Sequence, residues 1–195
     1  MQKGKLFPLM PNMDINQLEK SLNQLCAPHV CIYSLEETVP SFDARFSAKS
    51  RTYRYQILNQ NYLDPFLERF VWHVRNRLDV NSMQEASSLL IGEHDFSSFC
   101  RKRIVKIGSE KIEASLVREV QSLEILQTEE NIIEIWATAT SFCHQMVRSI
   151  TGTLVDVGLG KIEINEIVTI LAEKDRNAAG RVAPPQGLTL MEVGY

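Results

Sequence analysis

Apolar side chains recur three and four residues apart at Ile15, Leu18, Leu22 and Leu25, which predicts a helix over 14–26 with Asn12 or Asp14 as its cap. Val30, Ile32 and Leu35, with Tyr33 among them, predict a strand over 29–35. One helix and one strand cannot bury their own apolar faces, so residues 1–41 read as the remnant of a larger unit. Strict alternation follows at 50–60, with Arg51, Tyr53, Tyr55 and Ile57 on one face and Thr52, Arg54 and Gln56 on the other. Further strands are expected at 70–74, 120–127 and 132–140, the last two joined by a hairpin loop at 128–131.

Helical spacing predicts 81–91, stopped by Gly92, and 164–173. It also predicts 142–158, with Met146, Ile150, Leu154 and Val157 on one stripe and His144 and Arg148 on a neighbouring one. Ala183-Pro184-Pro185-Gln186-Gly187 reads as a rigid turn leading into a closing strand at 188–193. Hairpins mixed with helices define an α+β class, a mixed or antiparallel sheet with flanking helices, and not a doubly wound parallel sheet.

Composition narrows the function classes. The 195 residues are 44% hydrophobic and 23% charged, close to globular averages, which excludes wholesale disorder. Apolar runs extend only a few residues, so no membrane span is expected, and Pro8 and Pro11 interrupt the segment after Lys3 and Lys5 that a secretory signal would need. A net charge of −3 argues against an indiscriminate nucleic-acid coat but allows local basic patches. The four cysteines are irregularly spaced without a C-x-x-C pair, so reduced thiols are expected; His29 and Cys31 supply two potential ligands, too few for a metal centre.

Positive charge concentrates at Arg45, Lys49, Arg51 and Arg54, interleaved with Phe42, Phe46, Tyr53 and Tyr55, and again at Arg101, Lys102, Arg103 and Lys106. Cations track phosphates while rings stack on unpaired bases, so the first run suits RNA better than a small phosphate; charge alone favours a solvated strand edge backed by core aromatics. Arg148 stands within an apolar stretch, one turn after His144. An unpaired buried guanidinium costs roughly 3–5 kcal/mol, so it must reach solvent or meet a carboxylate from elsewhere. No serine or cysteine sits in a nucleophile motif, which leaves His144 without a hydrolase triad.

Five ordered segments together resemble the tRNA pseudouridine synthase A family: Ser-Phe-Asp-Ala-Arg-Phe-Ser-Ala at 41–48, Arg-Thr-Tyr-Arg-Tyr at 51–55, Gly-Glu-His-Asp-Phe-Ser-Ser-Phe at 92–99, Phe-Cys-His-Gln-Met-Val-Arg-Ser-Ile-Thr-Gly at 142–152, and Ala-Pro-Pro-Gln-Gly-Leu at 183–188. The resemblance implies the pseudouridine synthase fold and a cytoplasmic isomerase that converts uridine to pseudouridine in the anticodon stem-loop of tRNA. It implies no metal or organic cofactor, and a homodimer whose cleft takes the tRNA. The target base leaves its stack at a cost of a few kcal/mol. Residue by residue, it implies that Tyr53 contacts the flipped base and helps move the C5 proton, and that Arg148 pairs with the catalytic aspartate. Arg45, Phe46, Arg51, Arg54 and His144 are then expected to bind substrate.

One departure matters. The family's aspartate lies in a Gly-Arg-Thr-Asp-Ala-Gly segment ahead of the helix at 14–26, and the chain contains no such segment; Asp43-Ala44 is followed by Arg45. The expectation is therefore an N-terminally truncated synthase: a remnant of the first half at 1–41, a C-terminal half at 42–195, and no activity on its own. A non-catalytic tRNA-binding module is the alternative. The exposed apolar faces of the remnant predict self-association.

Overall fold

The computed structural model describes residues 14–101, 104–107 and 110–195, and the backbone alone at 105–107 and 110–112. The described chain divides into two units between Ala48 and Lys49.

In the first unit, helix α1 spans Ile15–Cys26, and Asp14 caps it by accepting the Asn16 amide at 2.9 Å. Asn12, the other cap candidate, lies outside the described residues. No residue of α1 is fully buried, and Ile15, Leu18 and Leu22 on its apolar stripe are half-buried. The strand expected at 29–35 does not form. Without a partner to satisfy its backbone, the segment stays irregular; the Asn23 side chain bridges both the N–H and the C=O of Ile32, while Val30 and Tyr33 are exposed.

The second unit is built on β1 (Ser50–Leu58), whose alternating apolar positions point to one side of the sheet. It is followed by β2 (Trp72–His73), α2 (Val80–Ser88) and β3 (Gly92–Asp95), then the hairpin β4 (Ile104–Ile107) and β5 (Glu110–Glu113). The chain continues through β6 (Val117–Gln127), β7 (Ile132–Ala139), α3 (Met146–Gly158), α4 (Glu166–Glu173) and β8 (Leu188–Gly194). The main sheet runs β2-β1-β7-β6-β3, with β8 also paired to β1; all pairs are antiparallel except β1–β2. This is the mixed α+β architecture expected, with three differences. Helix α2 ends at Ser88, since Gly92, at φ +106°, opens a strand instead of closing a helix. The strand at 70–74 shrinks to two paired residues. Helix α3 starts only at Met146, so His144 stands in the loop before it and not on a helical stripe.

Helix α3 is buried almost all round, its polar Ser149, Thr151, Thr153 and Asp156 included, and only Arg148 within it escapes full burial. One stripe, at 148, 152, 153 and 156, carries a strap of extended chain from Gly180 to Pro184. Arg148 and Ala183 exchange backbone and side-chain bonds, Thr153 Oγ1 accepts the Gly180 amide at 3.0 Å, and Asp156 pairs with Arg181 at 3.7 Å. Gly152 lets the strap lie directly against the helix, because a β-carbon there would run into the Arg181 carbonyl. Overpacking against backbone offers no side chain that can swing aside. Gly152→Ala is accordingly expected to lower the unfolding free energy by about 2 kcal/mol or more. Urea titration checks this; an unchanged midpoint would mean that the strap is not packed as described.

Candidate active site

The strap brings the candidate site together. Tyr55, fully buried on β1, donates its phenol to the Pro184 carbonyl at 2.6 Å, and Arg148 Nε donates to the adjacent Ala183 carbonyl at 2.6 Å. Two neighbouring carbonyls thus anchor a side chain from the sheet and one from α3. Gly187 passes so close to the Tyr55 ring that a β-carbon would collide with it. Burial pushes the Tyr55 phenol far above its ordinary value, with the field of Arg148 opposing. Tyr55 is therefore a structural donor that never ionises in use.

Arg148 is partly buried, and Nε is its only side-chain atom with a protein bond among the described residues. No described carboxylate lies within ion-pairing distance of it. The guanidinium is oriented by a carbonyl, and no described acid neutralises it.

Tyr53 lies on the same face of β1 as Tyr55, two residues earlier and at the margin of the core. Its ring meets Phe142 edge-on, with centroids 5.2 Å apart and planes at 87°. Burial raises the Tyr53 phenol above its ordinary value, and the Arg51 guanidinium partly offsets this. The side chain is a neutral phenol at physiological pH. Arg51 donates to the Thr140 carbonyl at 2.7 Å, which holds it at this end of β1.

Arg54 projects from the opposite face of β1, where it pairs with Glu134 at 3.3 Å and lies over the Trp136 ring at 5.7 Å. Its charge is already matched. His144 is exposed in the loop after Phe142, and its carbonyl accepts the Arg101 amide at 3.2 Å. Arg45 and Phe46 belong to the first unit, both exposed, with the guanidinium 5.4 Å from the ring. Asp43 Oδ1 accepts both of their amides at 2.8 Å, which fixes the turn. Lys102 and Arg103 of the second basic cluster lie outside the described residues, and nothing is described of the Lys106 side chain.

The chain has seven aspartates, and each has a local structural task. Asp14, Asp64, Asp79 and Asp175 accept backbone amides two or three residues ahead, as Asp43 does. Asp95 binds Ser97 and Lys174, and Asp156 binds Lys161 and Arg181. None is paired with Arg148.

Spacing missed two features. Cys100 and Cys143, expected to be reduced, are joined by a disulfide, because the turn at Ser97–Phe99 and the loop before α3 bring their Cα atoms to 5.9 Å; Cys26 and Cys31 are free. Forty-three residues of separation hide this pairing from any local motif. The second is the cationic run Lys174-Asp175-Arg176 after α4, where the intervening aspartate masks the charge from a simple scan. Among the described residues no group of three His, Cys, Asp or Glu side chains could hold a metal, and no helix is long and apolar enough to cross a membrane.

Comparison with known proteins settles the family. A family model described as tRNA pseudouridine synthase matches residues 86–195. The chain is 40% identical over 189 residues to tRNA pseudouridine synthase A of Thermoanaerobacter sp. (strain X514), covering 97% of this chain and 74% of that protein. It is 37% identical over 180 residues to tRNA pseudouridine synthase A 2 of Bacillus anthracis, covering 92% of this chain and 70% of that protein. With the Gluconobacter oxydans (strain 621H) tRNA pseudouridine synthase A it shares 38% over 194 residues, 97% of this chain and 66% of that protein. The chain belongs to the tRNA pseudouridine synthase family, isomerases that convert uridine in tRNA to pseudouridine.

The Asp95 contacts give a pH dependence. Hydrogen bonding from the Ser97 hydroxyl, aided by Lys174, holds the Asp95 carboxyl below its ordinary range against a desolvation penalty. A depressed folded value stabilises the protein fully above the unfolded value of about 4, and this contribution is lost as pH falls through the folded value. Asp95→Asn should therefore show a smaller loss of stability between about pH 5 and about pH 2.5 than the parent, measured by denaturant titration at each pH. Equal losses would contradict the assignment.

Proposed function

We propose that this chain carries the base-contacting half of a synthase acting on uridine in the anticodon stem-loop of tRNA, and that its 195 residues do not complete the reaction alone. The observation that carries this reading is the Arg148 guanidinium, oriented by Ala183 with no described carboxylate beside it, in a chain whose seven aspartates are all engaged elsewhere. In this reading residues 1–41 belong to the first half of such a synthase and 42–195 to the second.

In this reading Arg148 neutralises and positions a catalytic aspartate supplied from outside these residues, which helps break the glycosidic bond so that uracil rotates and rejoins through C5. Tyr53 packs against the flipped base. Burial favours the neutral Tyr53 phenol, so its hydroxyl acts as a relay, accepting the proton that leaves C5 as it passes its own towards the vacated N1. Arg51, two residues earlier on β1, and His144, on the loop before α3, contact the substrate in this reading. Arg45 and Phe46 present a cation and a ring to the RNA. Arg54 contacts RNA only if its bond to Glu134 yields. Family resemblance supports a cytoplasmic homodimer, with tRNA taken into a cleft shared by the subunits.

A second reading, a tRNA-binding module without chemistry, is favoured by the same committed aspartates. Two measurements on the purified chain and a tRNA transcript separate the outcomes. No pseudouridine is expected, and its formation would contradict the claim of incompleteness. Binding should weaken with salt at a log–log slope of about −3.5 to −4.5 if about five phosphates are neutralised, and Tyr53→Ala should cost about 1–3 kcal/mol for RNA with an accessible uridine. A flat salt response would remove both RNA readings. Restoration of activity by an added segment bearing the Gly-Arg-Thr-Asp-Ala-Gly sequence would select the synthase half over the module.

A further inference from the structure

A cavity of about 350 Å3 opens where the C-terminal end of α4 meets the start of α3, lined by Arg101, Gln145 and the run from Lys174 to Arg176. Three cations face it against a single carboxylate, Asp175, which is occupied by the Asn177 amide at 3.0 Å. Lys174 is paired with Asp95 at 3.0 Å. Arg101 and Arg176 have no described carboxylate within ion-pairing distance. The cavity therefore carries uncompensated positive charge.

The charge is also held in place. Both terminal nitrogens of Arg176 donate to the Gly180 carbonyl at 3.1 Å, so the guanidinium is fixed by the start of the same strap that anchors Arg148. Partial burial lowers its pKa, the mark of a cation stripped of part of its hydration. The Arg101 backbone is pinned to His144, and Gln145 stands directly ahead of the 13-residue helix α3. Fixed, poorly hydrated cations in a concave site suit a phosphate, whose oxygens accept several donors at once.

Gln145 follows Phe142 by three residues, a reach of at most about 11 Å of chain, and Phe142 stands against Tyr53. We propose that Arg101, Lys174 and Arg176 form a receptor for a backbone phosphodiester of the tRNA whose base meets Tyr53, setting the register of the RNA on the protein. The inference rests on the reading of the chain as a tRNA-binding synthase half. The three are positioning residues: they contact the substrate away from the reacting atoms.

The test is tRNA affinity of the full chain between about 50 and about 200 mM salt, for the parent, Arg101→Gln and Lys174→Gln. Each substitution should weaken binding roughly 3- to 10-fold and make the salt slope shallower by about 0.7–0.9, the signature of one lost phosphate contact. The thermal midpoint of Arg101→Gln should equal that of the parent, because its side chain holds no described element of the fold. Parent slopes in both variants would overturn the receptor and leave the tRNA reading intact, whereas a parent chain that does not bind tRNA would overturn both. Inorganic phosphate at constant ionic strength is the second arm. Saturable calorimetric binding of phosphate that Arg101→Gln abolishes, with unchanged tRNA slopes, would assign the cavity to a free anion and also overturn the proposal.

Discussion

The bond from Arg148 Nε to the Ala183 carbonyl is the constraint on which the site depends. A guanidinium on an apolar helix can be tolerated by snorkelling to solvent, by pairing with an acid, or by donating to backbone. Here backbone supplies one acceptor and fixes the direction of the group, while its charge remains available. That arrangement is costly for a protein that only needs to fold, since an alkyl side chain would pack there without a desolvated cation. It makes sense where a carboxylate must be received in a set orientation.

The strap explains how the orientation is maintained. Between Gly180 and Gly187 the chain touches α3 through Arg148, Gly152, Thr153 and Asp156, and touches β1 through Tyr55. Sheet and helix are thereby tied to the same few carbonyls, and Tyr53 and Arg148 are referenced to one rigid element. The Ala-Pro-Pro-Gln-Gly segment provides what such a strap requires: prolines that restrict φ, and a glycine that permits close approach to an aromatic ring.

Much of this is legible in the chain itself. The alternation at 51–57 places Tyr53 and Tyr55 on one face and Arg54 on the other, and that alternation is also why Arg54 ends beside Glu134 and away from Tyr53. Treating the basic run as one surface ignores the pleat. The strand expected at 29–35 fails because strand formation needs a partner, which local composition cannot supply. Spacing from Arg148 puts His144 on a helix, yet the chain enters α3 through Gln145 at φ +69°, a left-handed residue that no periodicity announces. The Cys100–Cys143 bond and the Ala183 acceptor are long-range contacts, visible only once the fold exists. Motif resemblance identifies the family where periodicity cannot, because ordered motifs specify more than spacing does.

The central claim is that the charge of Arg148 is unmatched among the described residues, and the most direct measurement is the stability effect of Arg148→Met as a function of pH. Loss of one charged donor, offset by removal of a desolvated cation, predicts a change in stability below about 1.5 kcal/mol that stays constant from about pH 7 to about pH 3. A cost of about 3–5 kcal/mol at neutral pH that shrinks as carboxylates protonate would reveal an acidic partner within the chain and contradict the account.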